Sequence, residues 1–333
     1  MAKYSGKFIV SLDFELMWGV RDVATRETYG EHLRGVHKAL PIILDYFTKY
    51  NISGTFATVG LLFFETKNEM LSSLPDQQPK YEDANLFPYG DYLAKQVGAD
   101  SHLDRYHFAP ELIQLIKNTP KQEIGTHTFS HFYCMEPGQT LPDFTQDIKA
   151  AVDIAHKRGV HITSIVFPRN QINNEYLDVC AGMGITNYRG NEDSWIYASR
   201  SGANENLLRR FVRLLDAYVN ISGHHCYADE YMKQNNIINI PSSRFLRPYF
   251  ARLRLLEGLR LRRIKKSMSY AAKNGLLYHL WWHPHNFGID HDQNFSFMEK
   301  ILKHYEDLNK KYDFTSYSMS GFAKVLSDQD VAD

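Results

Sequence analysis

The sequence is poor in cysteine, and this scarcity excludes one class of fold. Its 333 residues include only three cysteines, Cys134, Cys180 and Cys226. An odd number of widely spaced thiols does not supply the disulfide framework of small secreted domains. We therefore expect a reducing compartment and a fold held by its hydrophobic core, for which the chain is long enough.

The sequence also lacks long apolar runs and an excess of either charge. It contains no stretch of 18 apolar residues, so no transmembrane helix is predicted. Lysine plus arginine and aspartate plus glutamate both number 38, which leaves no net field to attract nucleic acid. Residues 1–6 lead into the first predicted strand without an apolar leader. These features predict a cytoplasmic protein that does not bind nucleic acid.

Internal repeats and linkers are absent as well, and predicted strands alternate with helices instead. This alternation predicts one α/β domain over residues 1–333, built as a barrel of about seven strands. Residues 65–109 break the rhythm with several prolines and few aliphatic residues, so we predict an insertion over one end of the sheet. The strands are predicted at 8–12, 55–60, 123–127, 163–168, 185–189, 237–241 and 276–282.

Two carboxylates stand at the end of the first predicted strand. Asp13 and Glu15 are separated by one residue, so in a strand both side chains point to the same face. Like charges this close are costly unless a cation or a shared proton relieves them. The pattern therefore indicates either a functional acid pair or, alternatively, one acid that caps the next element and another in solvent.

A second cluster follows the third predicted strand. His127 and His131 are four residues apart, a spacing that lets both imidazoles reach one metal ion if the chain turns after the strand. A carboxylate from the first strand would complete a three-ligand site. The alternative is coincidence, since the sequence contains 15 histidines.

The order of these motifs resembles that of polysaccharide deacetylases, carbohydrate esterase family four. The resemblance extends from residue 8 to about residue 288, and the histidine motif is its most specific part. It implies a distorted (β/α) barrel, and we predict that the insertion at 65–109 lies over the active-site end of that barrel. It also implies metal-dependent hydrolysis of an acyl group on a sugar. The motifs that carry it are Asp13-Phe-Glu15, His127-Thr-Phe-Ser-His131, Phe167-Pro-Arg-Asn-Gln171 and His283-Pro-His285.

The resemblance assigns the metal ligands residue by residue. Glu15, His127 and His131 match the acid and the two histidines that bind a divalent ion, expected here to be zinc. The more common family motif has two adjacent aspartates, whereas here Phe14 separates Asp13 from Glu15.

The resemblance also implies three catalytic residues. Asp13 matches the general base, Arg169 falls in the segment whose arginine orients that base, and His283 matches the general acid. His285 is a competing candidate for the acid, because it would share a face with His283 if the strand continued. Arg169 follows Pro168, whereas the family more often places the arginine first.

Four residues near these motifs are predicted to contact the substrate: Asn170, Trp18, Trp282 and His285. Three of them, the two tryptophans and Asn170, have a structural alternative. The tryptophans would otherwise pack the end of the barrel, and Asn170 would cap the next helix.

A basic stretch completes the sequence-based predictions. A long amphipathic helix is predicted over 253–273, and residues 244–266 carry nine lysines and arginines against one acid. Residues 252–266 are predicted either to contact a phosphate-linked substrate or the inner membrane face, or to be a solvated helix face.

The predicted activity is removal of an acyl group from an amino sugar of a surface polysaccharide or its precursor. The acyl group predicted first is N-acetyl. The alternatives are a deformylase of a lipid- or nucleotide-linked amino sugar and a sugar-binding protein without turnover.

Overall fold

The structure, a computed structural model, describes residues 5–198, 207–232 and 236–330. Every strand pairing in it is parallel, and helices connect the strands. The strands are β1 (Lys7–Phe14), β2 (Gly54–Thr58), β3 (Glu123–Thr126), β4 (Ser164–Ile165), β5 (Asn187–Tyr188), β6 (Ile238–Asn239), β7 (Arg244–Phe245), β8 (Leu277–Trp282) and β9 (Thr315–Tyr317).

The helices surround this sheet and cover its apolar residues. Within the described ranges, no helix combines the length and the apolar character that crossing a bilayer requires. The helices are α1 (Arg26–Lys49), α2 (Lys67–Leu71), α3 (Asp91–Gln96), α4 (Pro110–Asn118), α5 (Leu141–Lys157), α6 (Asn174–Gly182), α7 (Leu207–Asp216), α8 (Glu257–Asn274), α9 (His291–Tyr312) and α10 (Met319–Asp330).

The sheet forms a distorted (β/α) barrel, which confirms the predicted fold class. Its strands follow the order β6-β5-β4-β3-β2-β1-β8-β7. One stretch of chain supplies both ends of this row, because β6 pairs with β5 while β7, five residues later, pairs with β8. The short β9 pairs with the first three residues of β1, before the register at which β2 begins.

β1 is the central strand, and the core forms around it. All eight of its residues are buried, and it pairs with β2, β8 and β9. A strand covered on both faces needs a continuous apolar run, which explains the run at residues 8–12. The carboxyl ends of β1, β3, β5 and β8 therefore open at the same end of the barrel, where such folds place their active sites.

Two local predictions need correction. The polar composition of residues 20–34 predicts a loop, but α1 already begins at Arg26, where the Thr25 side chain accepts a hydrogen bond from Thr28 N–H. The single helix predicted over 253–273 is broken, since residues 251–256 form a 3₁₀ turn before α8. The sequence pattern of residues 207–218 predicts a helix, and the structure confirms it as α7, which ends at Asp216.

The inserted segment 65–109 carries α2 and α3 and packs against the chain that leaves β1. Met17 N–H donates to the Tyr106 carbonyl at 3.1 Å, and the Trp18 indole N–H donates to the His107 carbonyl at 2.9 Å. These bonds place the insertion at the carboxyl end of β1, beside the acid pair.

Candidate active site

Glu15 is the centre of the site, with two histidine pairs around its carboxylate. Its Oε2 lies 3.2 Å from His127 Nε2 and 3.1 Å from His131 Nε2. Its Oε1 lies 3.5 Å from His283 Nε2 and 3.9 Å from His285 Nδ1. Burial alone would raise the pKa of Glu15, but these imidazoles hold it well below its usual range.

The orientation of His127 is fixed from behind. It follows β3 directly, and its Nδ1 lies 2.8 Å from the carbonyl oxygen of Val166, which can only accept a hydrogen bond. Nδ1 must therefore carry the proton, and the lone pair of a neutral ring then points from Nε2 at the Glu15 carboxylate. Two acceptors 3.2 Å apart require a positive charge, either a proton or a metal ion.

His131 reaches the same carboxylate because the loop between the two histidines bends sharply. Thr128 and His131 both adopt left-handed backbone conformations, with φ of 64° and 62°. Burial lowers the pKa of His131 to about 4, although Glu15 acts to raise it. Its buried Nδ1 has no hydrogen-bond partner among the described residues, and its Nε2 faces Glu15.

Asp147, which belongs to none of the predicted motifs, holds this loop in place. Its buried carboxylate on α5 accepts hydrogen bonds from the backbone N–H groups of Phe129 and Ser130, at 2.7 and 3.2 Å, and from the Ser130 hydroxyl. Burial raises the pKa of Asp147 to about 6 against these bonds. The available sequence signal is an acid on the apolar face of the predicted helix, between Phe144 and Ala151.

Asp13 is clamped by Arg189, which corrects the sequence-based choice of Arg169. The Arg189 guanidinium donates to Oδ1 at 2.6 Å and to Oδ2 at 2.8 Å, and both residues are buried. Burial would raise the pKa of Asp13, but the charge of Arg189 holds it below its usual range. The clue in the sequence is a cation at the tip of the fifth predicted strand.

Arg169 instead binds two other acids. Its guanidinium forms ion pairs with Asp22 and Glu136 and lies over the ring of Tyr133. The reason is local: Arg169 sits in a left-handed turn after β4. No hydrogen bond or ion pair found in the described chain joins it to Asp13.

A buried chain of hydrogen bonds positions Arg189 in turn. Its guanidinium donates to the Ser11 hydroxyl at 3.0 Å and to Asn170 Oδ1 at 2.9 Å. The Ser11 oxygen also lies 2.8 Å from Nε2 of the buried His279. Asn170, predicted to contact the substrate, is thus engaged with the arginine that holds Asp13.

His283 lies at the rim of the site, while His285 is buried. The His283 side chain is 22% exposed, and its Nε2 lies 3.7 Å from Asp13 Oδ2. The two rings stack with centroids 4.8 Å apart, and Asn286 Oδ1 lies 3.3 Å from His283 Nδ1. Burial, followed by the charge of His283, lowers the pKa of His285 to about 3.

Trp18 and Trp282 do not line the site, so their predicted contact with substrate is wrong. Their exposed fractions are 0% and 1%. Trp18 packs against His107, and Trp282 stacks on Phe287. Both follow or end central strands, where the core demands large apolar groups.

The arrangement fits a divalent ion on chemical grounds. Two ligand sets occur among the described residues, and both include Glu15: one with His127 and His131, the other with His283 and His285. The first set is fully buried and carries the carbonyl-held imidazole expected of a metal ligand.

Comparison with known proteins places this geometry in a known fold. No model of a protein family matches the chain, and no curated protein matches it in sequence. A provisionally named polysaccharide deacetylase from Mycobacterium smegmatis superposes with a TM-score of 0.61 at 14% identity, covering 99% of this chain and 93% of that one. The chain has the polysaccharide deacetylase fold.

Two further structures share the polysaccharide deacetylase fold at similar distance. A protein from Pseudomonas aeruginosa PAO1 with the same provisional name gives a TM-score of 0.55 at 9% identity, covering 96% of this chain and 90% of that one. The allantoinase Puue gives 0.53 at 8% identity, covering 92% and 86%. The three superpositions establish the fold. At identities this low they do not establish the reaction, which has to be argued from the site itself.

Proposed function

We propose that the protein is a metal-dependent hydrolase that removes an acyl group, N-acetyl first, from an amino sugar of a surface polysaccharide or its precursor. The observation that carries this proposal is the Glu15 carboxylate between two imidazole pairs, next to an aspartate clamped by Arg189. Hydrolysis of an amide needs an activated water, a stabilised oxyanion and a protonated leaving amine. The site offers a group for each requirement.

Glu15, His127 and His131 would hold the ion, for which zinc is proposed because imidazole and carboxylate ligands suit it. When bound, the cation supplies Lewis-acid activation of the acyl carbonyl and of a water molecule. Val166 and Asp147 fix the ligand geometry through the hydrogen bonds described above.

Asp13 is proposed as the general base. Arg189 keeps its carboxylate ionised despite burial, so it can accept a proton at neutral pH. The bidentate clamp uses one lone pair of each oxygen, and each carboxylate oxygen has a second. Arg189 thus positions the base without blocking it.

His283 is proposed as the general acid that protonates the leaving nitrogen. It is the exposed member of the pair and lies 3.7 Å from Asp13, so it can reach both the substrate and the base. The buried His285 stays neutral near pH 7 and supports the ring of His283 by stacking.

The substrate is proposed as an acylated amino sugar, in line with two of the three fold neighbours being named as polysaccharide deacetylases. A cytoplasmic, phosphate-linked precursor remains the proposed form. Fewer cations of residues 252–266 are available for the predicted contact than the sequence suggested. Arg260 and Arg263 are buried and donate to the backbone carbonyls of Arg247 and Gly223.

The decisive assay measures acetate and formate release from a panel of acylated amino sugars. Asp13→Asn should retain its metal and lose roughly 10²- to 10⁴-fold in turnover, because the substitution removes the proposed base and leaves Glu15, His127 and His131 in place. Asp153→Asn, which changes an exposed acid on α5, is the control and should behave as wild type.

Three outcomes would redirect the proposal. Formate in place of acetate would indicate the deformylase. Sugar binding without release of any acid would indicate a binding protein. Full activity of Asp13→Asn would place the base elsewhere.

A further inference from the structure

Helix α7 turns an apolar face towards solvent. Leu208, Phe211 and Leu215 recur at positions i, i+3 and i+7, so they share one side of the helix, and all three are exposed. Leu207 is 80% exposed, and Val219 continues the same row beyond the helix. Soluble proteins rarely leave a contiguous apolar face uncovered unless it binds something.

The polar side of α7 is the side that is anchored. The buried Arg209 donates to the carbonyls of Trp195 and Ala198, at 2.9 Å each. The buried Asp216 accepts from Arg244 at 3.0 Å and from the Ser222 hydroxyl at 2.8 Å. Charged residues therefore fix the helix to the protein while Leu208, Phe211 and Leu215 face outward, the reverse of an ordinary surface helix.

A second segment in contact with α8 also exposes apolar side chains. The 3₁₀ turn at residues 251–256 exposes 90% of Leu255, and Phe250 before it is also exposed. α8 ties both segments together: Arg263 lies 3.8 Å from Asp216 at the end of α7, and Arg260 donates to the Pro248 carbonyl at 3.4 Å. We refer to α7 and residues 250–255 as the apolar face.

Exposed cations border the apolar face. Arg210 on α7 and Arg252 and Arg254 in the turn are exposed. Residues 207–222 and residues 250–259 each contain a single acid, Asp216 and Glu257 respectively. Both acids pair with arginines inside the fold. The face therefore combines apolar side chains with positive charge, the combination that binds anionic lipid surfaces.

We propose that the apolar face docks the protein on an anionic lipid bilayer. A second copy of the chain is the poorer occupant, because a two-fold interface would bring like-charged arginines together. An anionic headgroup layer satisfies both features at once: the arginines meet phosphate while the leucines and Phe211 enter the acyl boundary.

Docking there would serve the proposed function, on which this part of the inference rests. Phe245 in β7 lies edge-on to His283 with centroids 5.7 Å apart, and Phe250 of the apolar face follows five residues later. The rim of the site is thus close in the chain to the docking surface, which suits an amino sugar carried on a lipid. Docking itself is measured without any turnover.

The test is co-sedimentation of the full chain with vesicles of phosphatidylcholine, with and without phosphatidylglycerol. Wild type should bind the anionic vesicles, and added salt should weaken binding. Arg252→Gln with Arg254→Gln should lower the partition coefficient about 25-fold, since each cation near the surface contributes about fivefold. Leu208→Ser with Phe211→Ser should also release the protein.

The matched control is Arg34→Gln with Lys38→Gln, which removes two exposed cations from α1 and should leave binding unchanged. Circular dichroism and thermal unfolding verify that all variants fold. Metal content and acyl release from a water-soluble sugar should stay at wild-type values in every variant, which separates failure of docking from failure of the proposed function.

Three results would overturn the inference. One is equal binding to vesicles with and without the anionic lipid. Another is an equal loss in the control variant. The third is a wild-type dimer that Leu208→Ser with Phe211→Ser converts to monomer, because the face would then be covered by a second copy.

Discussion

Arg189→Lys tests the assignment of the base directly. The substitution keeps a positive charge beside Asp13 but replaces a two-pronged donor with a single ammonium group. We expect both lower activity and a shifted pH dependence. Arg169→Lys is the matched control, because Arg169 resembles the family's arginine in sequence but contacts Asp22 and Glu136 instead.

The size of the effect follows from the lost hydrogen bond. A charge-assisted bond to a buried carboxylate contributes about 1.5–3 kcal/mol. If that loss falls on the ionised form of Asp13, the pKa of Asp13 rises, because the carboxylate loses part of its stabilisation. A displaced base also costs roughly 100-fold in kcat/KM.

The sign of the stability change follows from the same pKa. Arg189 keeps the pKa of Asp13 lower in the folded than in the unfolded protein. The pair therefore stabilises the fold above the unfolded pKa, and this stabilisation is lost as the pH falls through the folded pKa. In Arg189→Lys the gap between the two pKa values narrows, so acid unfolding should begin at a higher pH.

The assay is kcat/KM for acyl release between pH 4 and pH 8, together with urea unfolding at each pH. The acid limb of the kcat/KM profile should move to higher pH for Arg189→Lys and stay at the same pH for Arg169→Lys. An unmoved limb in the first variant, or the same shift in the second, would refute the assignment of Arg189 as the residue that positions the base.

Three further predictions concern the metal ligands, their support and the acid. His127→Ala and His131→Ala, purified without chelator, should each contain less metal by mass spectrometry than wild type, and equal content in all three would remove the proposed centre. Asp147→Asn should weaken metal affinity about 10- to 100-fold in an equilibrium titration, because the loop holding the ligands loses acceptors, whereas unchanged affinity would make Asp147 purely structural. His283→Ala should lower kcat for acyl release by roughly 10²- to 10⁴-fold while His285→Ala costs less, because only the first removes the proposed acid, and the reverse result would exchange their roles.

Part of this protein can be predicted from sequence because its determinants are local. The apolar run at residues 8–12 specifies a buried strand, and the spacing of Asp13 and Glu15 directs both acids to one face. In a parallel barrel every strand ends at the same rim, so His127 after β3 and His283 after β8 had to lie near them. The distorted barrel and the convergence at Glu15 follow from these rules.

The partners of the buried charges could not be predicted in this way. Arg189 is 176 residues from Asp13 in the chain, and only the closed barrel brings them together. The order of the motifs favoured Arg169, because it lies in the segment Phe167–Gln171 that resembles the family's arginine motif. In the structure the chain turns after β4 and Arg169 pairs with Asp22 instead of Asp13. The partner of a buried carboxylate is the cation that the fold places within hydrogen-bonding distance. Which cation that is depends on the packing of all the strands between the two residues.

Which aromatic and apolar side chains are buried likewise depends on the tertiary structure. Trp18 and Trp282 lie beside the predicted site motifs in sequence, yet both are buried in the core. The pattern of α7 predicted a helix, but not that its apolar side would face solvent. Periodicity determines which residues share a side of a helix, while the charges bound beneath that helix, here Arg209 and Asp216, determine which side turns inward.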